Sequence, residues 1–389
     1  MPDGRTEFLG YARSDGSVGT RNHVLVLSLL GLANRAAERI ARAVSGTLLV
    51  ASPYGRGQYG ADKAAHRAQL IGLARNPNVA GVLVVGADRV VVDDVAHAAA
   101  AGGRSVRTVA LDDTHEDSPA ASAAGMRPAA ELAREASRQR RTPHPASALY
   151  LGVECGHSDA TSGLVANPVA GNCVDRLVDA GGTAVVGETV EWLGAEHIVA
   201  GRAADPATAS AIVAAVLRRE REVASGGQDL TGNNPGAENI RGGLSTIEEK
   251  SLGAIAKTGT RSIVGLLGLA EPPKRKGLHL MDGPSFSPES LTGFAASGAQ
   301  IMLFTTGAGN GFCNSLAPTI KITGRPDTAR RLTDQIDFDA SPVFEGREDI
   351  ESAGARLFDA MIAIASGTAT WGEIHGEGAE AFARLGGSM

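Results

Sequence analysis

The clearest candidate for chemistry in this chain is the octet GVECGHSD, residues 152–159, which closes a short apolar run. It contains a thiol (Cys155), an imidazole, a hydroxyl (Ser158) and a carboxylate (Asp159), and Asn167 follows shortly after. Ligands bind at strand C-termini in α/β proteins, because the sheet fixes the backbone while the loop above it can vary. The octet therefore predicts a functional loop at the end of a buried strand. For this stretch alone, a polar glycine-rich turn is the alternative.

A second polar group follows the apolar run Thr183–Val186. Glu188 comes soon after this run, a position that would aim its carboxylate into a cleft, and His197 lies further downstream. An imidazole is a good metal ligand or general acid when a carboxylate orients its second nitrogen. We therefore predict that Glu188 and His197 belong to a metal site. The alternative is a helix-capping glutamate and a surface histidine.

The third group lies on a predicted helix. Ser245 and Glu248 have the S-x-x-E spacing of a capping box, which predicts that the helix begins there. Lys250 and Lys257 are two turns apart and would share another face, with Glu249 beside the first of them. The chain has only six lysines, so this pair is a candidate to hold a carboxylate, or to supply one desolvated base. A solvated charged face is the alternative.

The remaining candidates stand in polar loops. The segment FTTGAGNG, residues 304–311, lacks the glycine spacing of a nucleotide-binding fingerprint, but its amides and hydroxyls could cradle an oxyanion. Residues 226–243 are polar and glycine-rich, and too long for a simple connection, which predicts a functional loop or a lid. The substrate-binding candidates from these and other segments are Arg56, Asn234, Asn239, Thr305, Thr306, Asn310 and Lys321.

The hydrophobic pattern predicts an α/β fold that positions these groups. In residues 1–142, strand-like and helix-like segments alternate at the spacing of βαβ units, which predicts a Rossmann- or flavodoxin-like domain with a doubly wound parallel sheet. A basic helix is predicted over Pro128–Arg141, and the prolines of residues 142–145 then mark a domain boundary. Residues 146–389 are predicted to form a larger, less regular α/β domain. Its predicted strands are 147–153, 183–187, 262–269, 277–281, 300–305 and 318–323.

Composition narrows the class of protein. A net charge of −6 and an aromatic content of 4% argue against binding to nucleic acid or to an anionic membrane surface. No apolar run is long enough to span a membrane, and the N-terminus lacks the pattern of a signal peptide. The three cysteines have no C-x-x-C spacing and provide no disulfide framework, which predicts a cytoplasmic protein.

Long segments resemble the altronate/galactarate dehydratase family of sugar-acid lyases. They are ECGHSDATSGLVANP, GETVEWLGAEHI, GGLSTIEEKSLGAIAKTG, GLHLMDGP and FTTGAGNGFCNSLAPTIK, with GYARSDGSVGTRNHVLVL and RNPNVAGVLVVG in the N-terminal part. By SPYGRGQYG and IEEKSLG, the chain is most similar to the large chain of two-subunit carbon–sulfur lyases of this family. The resemblance implies β-elimination of water or sulfite from a small 2-hydroxy carboxylate, which gives a 2-keto acid.

The resemblance also implies a cofactor and a partner. It implies a divalent metal, with Fe²⁺ expected first and Mg²⁺ or Mn²⁺ as alternatives, and no nucleotide. Many members carry thiols where this chain has Ser52–Gly57 and Gly86–Asp88, so no iron–sulfur cluster is expected, and the metal should have mixed oxygen and nitrogen ligands. The family's small N-terminal SAF-type domain is not recognised here, which implies a separate small subunit. A homo-oligomer is expected as well.

Roles follow for the candidate residues. The catalytic candidates are Lys250, Glu249, His197 and Asp159, and the metal candidates are Glu188, His197 and Cys155. Lys250 would act as base or as carboxylate clamp with help from Lys257, Ser158 and Asn167 would contact substrate, and Arg56 would suit a sulfonate. The catalytic base could equally come from the small subunit. Two other functions stay open: a sugar-acid dehydratase acting alone, and a non-catalytic protein that binds an acidic metabolite.

Overall fold

The structure is a computed structural model that describes residues 6–227 and 234–384. The strands are β1 (Glu7–Ala12), β2 (Val18–Gly19), β3 (His23–Ser28), β4 (Thr47–Ala51), β5 (Val79–Gly86), β6 (Ser105–Ala110), β7 (Thr142–Pro145), β8 (Tyr150–Cys155), β9 (Thr183–Val186), β10 (Ile263–Leu267), β11 (Gly277–Met281), β12 (Ile301–Thr305), β13 (Cys313–Asn314), β14 (Thr319–Thr323), β15 (Phe338–Asp339) and β16 (Gly378–Ala379). The α-helices are α1 (Asn34–Ala43), α2 (Gly60–Arg75), α3 (Arg89–Ala101), α4 (Ser118–Ala136), α5 (Asn167–Asp179), α6 (Glu196–Gly201), α7 (Pro206–Ser225), α8 (Ala237–Arg241), α9 (Ile247–Ile255), α10 (Ser287–Ser297), α11 (Pro326–Arg331), α12 (Ser341–Phe344), α13 (Ile350–Ala365) and α14 (Trp371–His375). Short 3₁₀ helices include Thr189–Trp192 and Ala256–Thr258, and Ser162–Ala166 forms a π-helical turn.

The first large sheet is parallel and four-stranded, in the order β4-β3-β5-β6. Successive residues of β3 enter different cores: Val24 and Val26 pack in the core with α1 and α4, whereas Leu25 and Leu27 pack in the core with α2 and α3. Burial on both faces is characteristic of parallel sheets covered by crossover helices. The predicted doubly wound parallel sheet is confirmed.

The second large sheet is also parallel and has seven strands, in the order β10-β11-β9-β8-β12-β14-β15. Every residue of its central strand, β8, is buried. Parallel strands direct their carboxyl ends to one edge of a sheet, so the segments after β8, β9 and β12 come together there. Three of the polar groups predicted from the sequence follow these three strands, and the group with Lys250 lies on α9.

The two sheets are joined through an apolar core that contains Leu25 and Val84 of the first sheet and Val185 and Met302 of the second. Helices α2 and α10 meet in this region. They approach so closely at Gly72 that an added Cβ would lie 2.0 Å from the backbone oxygen of Ala296. Only glycine permits this contact. Helix α10 also packs on the second sheet, where Phe294 contacts Gly152 of β8, and its first residue, Ser287, reaches the site described below.

One prediction about the connecting segment, the bounds of its helix, is wrong in detail. The helix predicted over Pro128–Arg141 is α4, which begins at Ser118 because Asp117 caps it, and ends at Ala136. Residues 142–145, predicted as a boundary between domains, form the strand β7, which pairs antiparallel with β1 at the edge of a small sheet. Prolines are tolerated on edge strands, because no partner there needs their missing N–H.

The second-domain strands are found near their predicted positions, and β11 coincides with the predicted 277–281. The predicted loop or lid at residues 226–243 contains α8, while its residues 228–233 lie outside the described part of the chain. Among the described residues, no helix is long and apolar enough to cross a membrane.

Candidate active site

Two turns at the carboxyl edge of the second sheet supply the acidic groups. Glu154 and Cys155 are the last two residues of β8, and both are buried. Glu188 follows β9 in the left-handed conformation, with φ of 60°, and directly precedes the 3₁₀ helix that carries Glu191. A non-glycine residue in this conformation is strained, and such strain is concentrated at functional sites.

Helix α9 brings the lysines to these acids. It crosses the π-helical turn where a Cβ added to Gly163 would lie 2.9 Å from the Cα of Gly253. Asn167 fixes the same crossing, because its Nδ2 donates to the Gly253 oxygen at 2.9 Å. Lys250 on α9 and Lys257 on the 3₁₀ helix that follows it then reach the same carboxylate. Single π-helical turns inside helices are frequent at functional sites.

The predicted start of α9 is corrected by the structure. The N-cap is Thr246, not Ser245, and its Oγ1 accepts from the Glu249 amide at 3.2 Å. The Glu249 carboxylate in turn accepts from the Ser245 amide at 2.7 Å. The glutamate that bonds back to the start of the helix is thus Glu249, one residue later than the predicted Glu248. It accepts from the residue before the N-cap, and its exposed side chain serves the helix end.

Glu154, Cys155, Glu191 and Lys257 form a buried group that we call the Lys257 cluster. The Lys257 Nζ lies 2.5 Å from Glu191 Oε2, 3.0 Å from Glu154 Oε1 and 3.1 Å from Cys155 Sγ. The thiol also donates to Glu191 Oε2 at 3.1 Å. The second Glu191 oxygen, Oε1, lies 3.3 Å from Lys250 Nζ, so Glu191 bridges the two lysines.

The electrostatics of the cluster favour a charged Glu191 between charged lysines. Burial opposes ionisation of Glu191, but the ammonium groups of Lys257 and Lys250 outweigh it and lower its pKa to about 2. Burial also opposes the charge of Lys257, and the surrounding Cys155, Glu154 and Glu191 more than offset this, so its pKa is raised. Burial raises the pKa of the Cys155 thiol, and the nearby Glu191 raises it further. The thiol is therefore protonated at neutral pH.

A cleft of about 760 Å³ opens beside the cluster. Lys250 faces it, with only 12% of its side chain exposed, and its Nζ donates to Asn234 Oδ1 at 2.7 Å. Glu188 also lines the cleft, and its Oε1 accepts from Ser287 Oγ at 2.8 Å. Further lining residues are Cys155, His157, Ser158, Glu238, Asn239, Phe286, Asn310 and Phe312.

The side chains of the Lys257 cluster are of types that bind metal ions, but the Lys257 ammonium occupies the position that an ion would need. Potential ligand atoms of Glu154, Cys155 and Glu191 all lie within 4.8 Å of one another, and carboxylate and thiolate donors bind divalent transition metals. Glu154 Oε2 is also buried without a hydrogen-bond partner. However, the Lys257 ammonium already lies within 3.1 Å of all three residues. Of the predicted metal candidates Glu188, His197 and Cys155, this three-residue group includes only Cys155.

The structure brings about half of the predicted site residues to the cleft or the cluster. Asn239 closes the cleft wall by donating to the Ser158 backbone oxygen at 2.8 Å. Asn310 lines the cleft, and its Oδ1 accepts from the Phe312 amide. The predicted residues at the cleft or in the cluster are Cys155, Ser158, Glu188, Asn234, Asn239, Lys250, Lys257 and Asn310.

The other predicted residues have different partners. Asp159 is buried and accepts from the amides of Thr161 and Ser162, so it caps the turn before the π-helical segment. Asn167 accepts from Thr305 Oγ1, and Thr306 Oγ1 accepts from the Gly309 amide, so these three side chains fix backbone turns. Lys321 pairs with Glu377. His197 is exposed on α6, and Arg56 is exposed on the loop after β4; neither lines the cleft.

Glu154 and Glu191 belong to the cluster but were not among the site residues predicted from the sequence. Glu154 was visible as a carboxylate closing an apolar strand, and a buried carboxylate needs a partner. Glu191 carried no comparable signal, because its partners Cys155 and Lys257 lie 36 and 66 residues away in the chain.

The fold and the site define a class: an α/β enzyme with paired ammonium and carboxyl groups at a cleft, which is suited to moving protons on an anionic substrate. Comparison of the sequence with known protein families identifies the family within this class. Residues 10–137 match the D-galactarate dehydratase/altronate hydrolase second domain, and residues 146–386 match the D-galactarate/altronate dehydratase C-terminal domain. The chain belongs to this galactarate/altronate dehydratase family, so the predicted resemblance is confirmed.

Individual relatives agree with this assignment. The chain is 40% identical to the (2R)-sulfolactate sulfo-lyase subunit beta of Chromohalobacter salexigens, over 96% of both chains. It is 30% identical to the altronate dehydratase of Escherichia coli, covering 93% of this chain and 74% of the relative. It is 36% identical to the galactarate dehydratase (L-threo-forming) of Escherichia coli, over 59% of this chain and 44% of the relative. The prediction of a lyase that acts by elimination is confirmed.

Proposed function

We propose that this chain is the large subunit of a two-subunit lyase that eliminates sulfite from a small 2-hydroxy carboxylate and yields a 2-keto acid. One observation carries the proposal: the Lys250 ammonium is held at the cleft by Glu191 and Asn234, with the Glu188 carboxyl lining the same cleft. The 40% identity to a sulfo-lyase subunit over 96% of both chains supports sulfite as the leaving group.

Elimination makes defined demands on the site. The C2–H bond breaks, its electron pair forms the C2–C3 double bond, and the C3–S bond breaks as sulfite leaves. The resulting enol rearranges to the 2-keto acid. Loss of the proton α to a carboxylate builds negative charge on that carboxylate, so a preorganised cation beside it stabilises the transition state.

Lys250 meets this demand. Burial opposes its charge, but Glu191 and Glu188 outweigh this and raise its pKa, so it is an ammonium at neutral pH. An ammonium is a carboxylate clamp and not a base. Of the two roles predicted for Lys250, we therefore assign the clamp.

Glu188 is the candidate for the base. Burial raises its pKa well above the usual value, and the neighbouring Glu191 and Glu154 raise it further. A carboxylate with a raised pKa is a stronger base than an exposed one, so the ionised form of Glu188 is suited to accept a proton from carbon. Ser287 orients it through the hydrogen bond to Oε1, and its position in the cleft lets it contact substrate.

A sulfonate requires a second positive group. Among the described residues that line the cleft, the side chains that can carry positive charge are Lys250 and His157, and they are opposed by Glu188 and Glu238. Because the sulfo-lyase relative is named as a subunit, we infer that a small partner, of the SAF type that the resemblance implies, contributes the missing cation. This assignment replaces Arg56, which is exposed and does not line the cleft.

Three further expectations are part of the proposal. A requirement for a divalent cation, with Fe²⁺ ahead of Mg²⁺ and Mn²⁺, is to be measured in the assay below. Free cysteines at all three positions support a reducing, cytoplasmic location. A homo-oligomer is expected, and sedimentation of the purified complex would test it.

A sugar-acid dehydratase is the second candidate, and the size of the cleft favours it. About 760 Å³ is roomy for a three-carbon acid and accommodates a six-carbon sugar acid. The altronate and galactarate dehydratases among the relatives support this alternative.

The experiment is an anaerobic turnover screen of the chain with and without a co-expressed small subunit. Sulfolactate, altronate, galactarate and lactate would be offered with Fe²⁺, Mg²⁺, Mn²⁺ or a chelator, and both 2-keto acid and sulfite would be measured. Sulfite and keto acid in equal amounts from sulfolactate alone are expected. Keto acid from a sugar acid without sulfite would establish the dehydratase instead, and no product under any condition would favour the binding protein.

A further inference from the structure

We propose that the ammonium group of Lys257 is the resident cation of the group formed by Glu154, Cys155 and Glu191, and that it excludes a divalent metal ion from this group. The inference goes beyond the proposed function, because it holds for any substrate and its test does not depend on turnover.

The hydrogen bonding of Lys257 is complete within the cluster. An ammonium group has three N–H donors and no acceptor. Three acceptors surround it: Glu191 Oε2 at 2.5 Å, Glu154 Oε1 at 3.0 Å and Cys155 Sγ at 3.1 Å. Because both Lys257 and Glu154 are at most 1% exposed, water does not compete for these contacts.

A metal ion bound by Glu154, Cys155 and Glu191 would have to occupy the position of the Lys257 ammonium. Transition metals bond carboxylate oxygen and thiolate sulfur at about 2.0–2.3 Å. An ion in contact with all three residues would therefore lie almost on the Lys257 Nζ. Two cations at that separation repel each other strongly in a buried site, so the group holds one of them and not both.

The backbone on both sides of Lys257 is anchored. The Thr258 Oγ1 donates to the Ile255 oxygen at 2.6 Å, and Arg202 donates to both Thr258 Oγ1 and the Thr258 backbone oxygen. On the other side, the backbone oxygen of Ala256 packs so closely on α5 that a Cβ added to Gly171 would lie 2.2 Å from it. Movement of the Lys257 ammonium would leave its charge and the Glu154 carboxyl group without their ion pair in the protein interior, which is costly.

The consequence for the enzyme is a division of labour. The cluster carries a fixed protein cation that keeps Glu191 ionised, and Glu191 in turn holds Lys250 at the cleft. Any divalent ion that turnover requires would then bind outside this group.

Cobalt binding tests the inference. Co²⁺ would be added anaerobically to the wild type, to Lys257→Met, and to the double variant Lys257→Met/Cys155→Ser, with bound cobalt measured after desalting. Coordination by Cys155 would appear as a thiolate-to-cobalt charge-transfer band. Lys321→Met, which removes the other buried lysine next to a cysteine, is the matched control.

We expect no charge-transfer band in the wild type or in Lys321→Met. In Lys257→Met we expect the band together with about one equivalent more bound cobalt than in the wild type. The band should disappear in the double variant. A stoichiometric band in the wild type that Cys155→Ser abolishes would overturn the proposal, even if Lys257→Met fails to fold. A folded Lys257→Met that shows no band and binds no more cobalt than the wild type would also overturn it, because the ammonium would then not be what excludes the metal.

Discussion

Two lysines of this chain, Lys257 and Lys321, are each only 1% exposed, and each lies near a buried cysteine. Their surroundings differ. Lys257 has two fully buried carboxylates and Cys155 around it, at the carboxyl end of β8 and next to the cleft. Lys321 lies in β14 and pairs with one carboxylate, Glu377, whose side chain is 31% exposed.

The difference teaches what marks an active site in this fold. Cys313 lies in β13, which pairs with β16, and Lys321 pairs from β14 with Glu377, the residue before β16. Burial raises the pKa of Cys313 to about 11, although Lys321 partly offsets this. The Lys321 pair therefore fastens the C-terminal segment to the sheet. A buried lysine indicates function only where several acids converge with it beside a cleft at the carboxyl ends of the strands.

The largest difference in stability and activity is expected between variants that remove the carboxylate partner of Lys257 and variants that remove that of Lys321. Glu191→Gln leaves two ammonium groups facing a neutral amide, so we expect a loss of about 3–5 kcal/mol in the free energy of unfolding. Because Lys250 also loses its anchor, kcat/KM should fall by about 10²–10⁴. Denaturant unfolding and initial rates measure both. Glu377→Gln is the control, and it should cost less stability and leave kcat/KM unchanged. Equal losses of activity in the two variants would abolish the distinction between the two lysines.

The second-largest effect is expected from replacing Lys250, which distinguishes its role at the cleft from that of the Lys257 cluster. Lys250→Met should lower kcat by about 10²–10³, because the ammonium acts on charge that develops in the transition state. Stability should change little, since Glu191 keeps Lys257 as a partner. The matched control is Lys274→Met, whose side chain is 90% exposed. A Lys250→Met enzyme with wild-type kcat and raised KM would show that Lys250 only binds substrate.

A smaller effect is expected at the second lysine. Lys321→Met replaces a buried cation by an apolar chain of similar length, and Glu377 remains partly solvated. The free energy of unfolding should therefore change by only about 1 kcal/mol, in either direction, with unchanged turnover of the substrate found in the screen. Thermal unfolding and initial rates test this. A large loss of turnover would restore the sequence prediction that Lys321 contacts substrate.

How far the sequence reaches can be judged from particular residues. Strand ends and the scarcity of lysine pointed to Cys155, Glu188, Lys250 and Lys257, because local pattern and composition carry that information. Glu191 could not be predicted, because its role depends on contacts with Cys155 and Lys257, which are 36 and 66 residues away and meet it only in the folded chain. Asp159 was placed in the right loop but has a backbone-capping role, since a polar residue at a strand end can serve the turn as well as a ligand.

For the fold as well, features that local sequence determines were predicted, and features that depend on distant contacts were not. The parallel strands β9 and β11 are largely apolar runs, and their bounds were predicted almost to the residue. The edge strand β7 was not among the predicted strands, because its two prolines break the local strand pattern and predicted a domain boundary instead. Pairing with β1, at the other end of the domain, decides its structure.

The last prediction concerns a buried group that stays neutral, in contrast to both lysines. His66 is 8% exposed and lies between Tyr54 and Phe382. Its Nε2 is hydrogen-bonded to Ser52 Oγ at 2.7 Å. Burial lowers its pKa to about 4, and Arg384 lowers it further. The unfolded chain binds a proton near pH 6.5 and the folded chain only near pH 4, so stability falls as pH decreases through this window.

Between pH 7 and pH 5, His66 alone should cost on the order of 2 kcal/mol of unfolding free energy, measured by denaturant titration at each pH. His66→Gln, which keeps a hydrogen-bonding group toward Ser52, should flatten this part of the pH profile. His97→Gln, at an exposed position, is the control and should not. An unchanged slope in His66→Gln would mean that His66 accepts its proton without opening the core around Phe382, and that neutrality is not a condition of its burial.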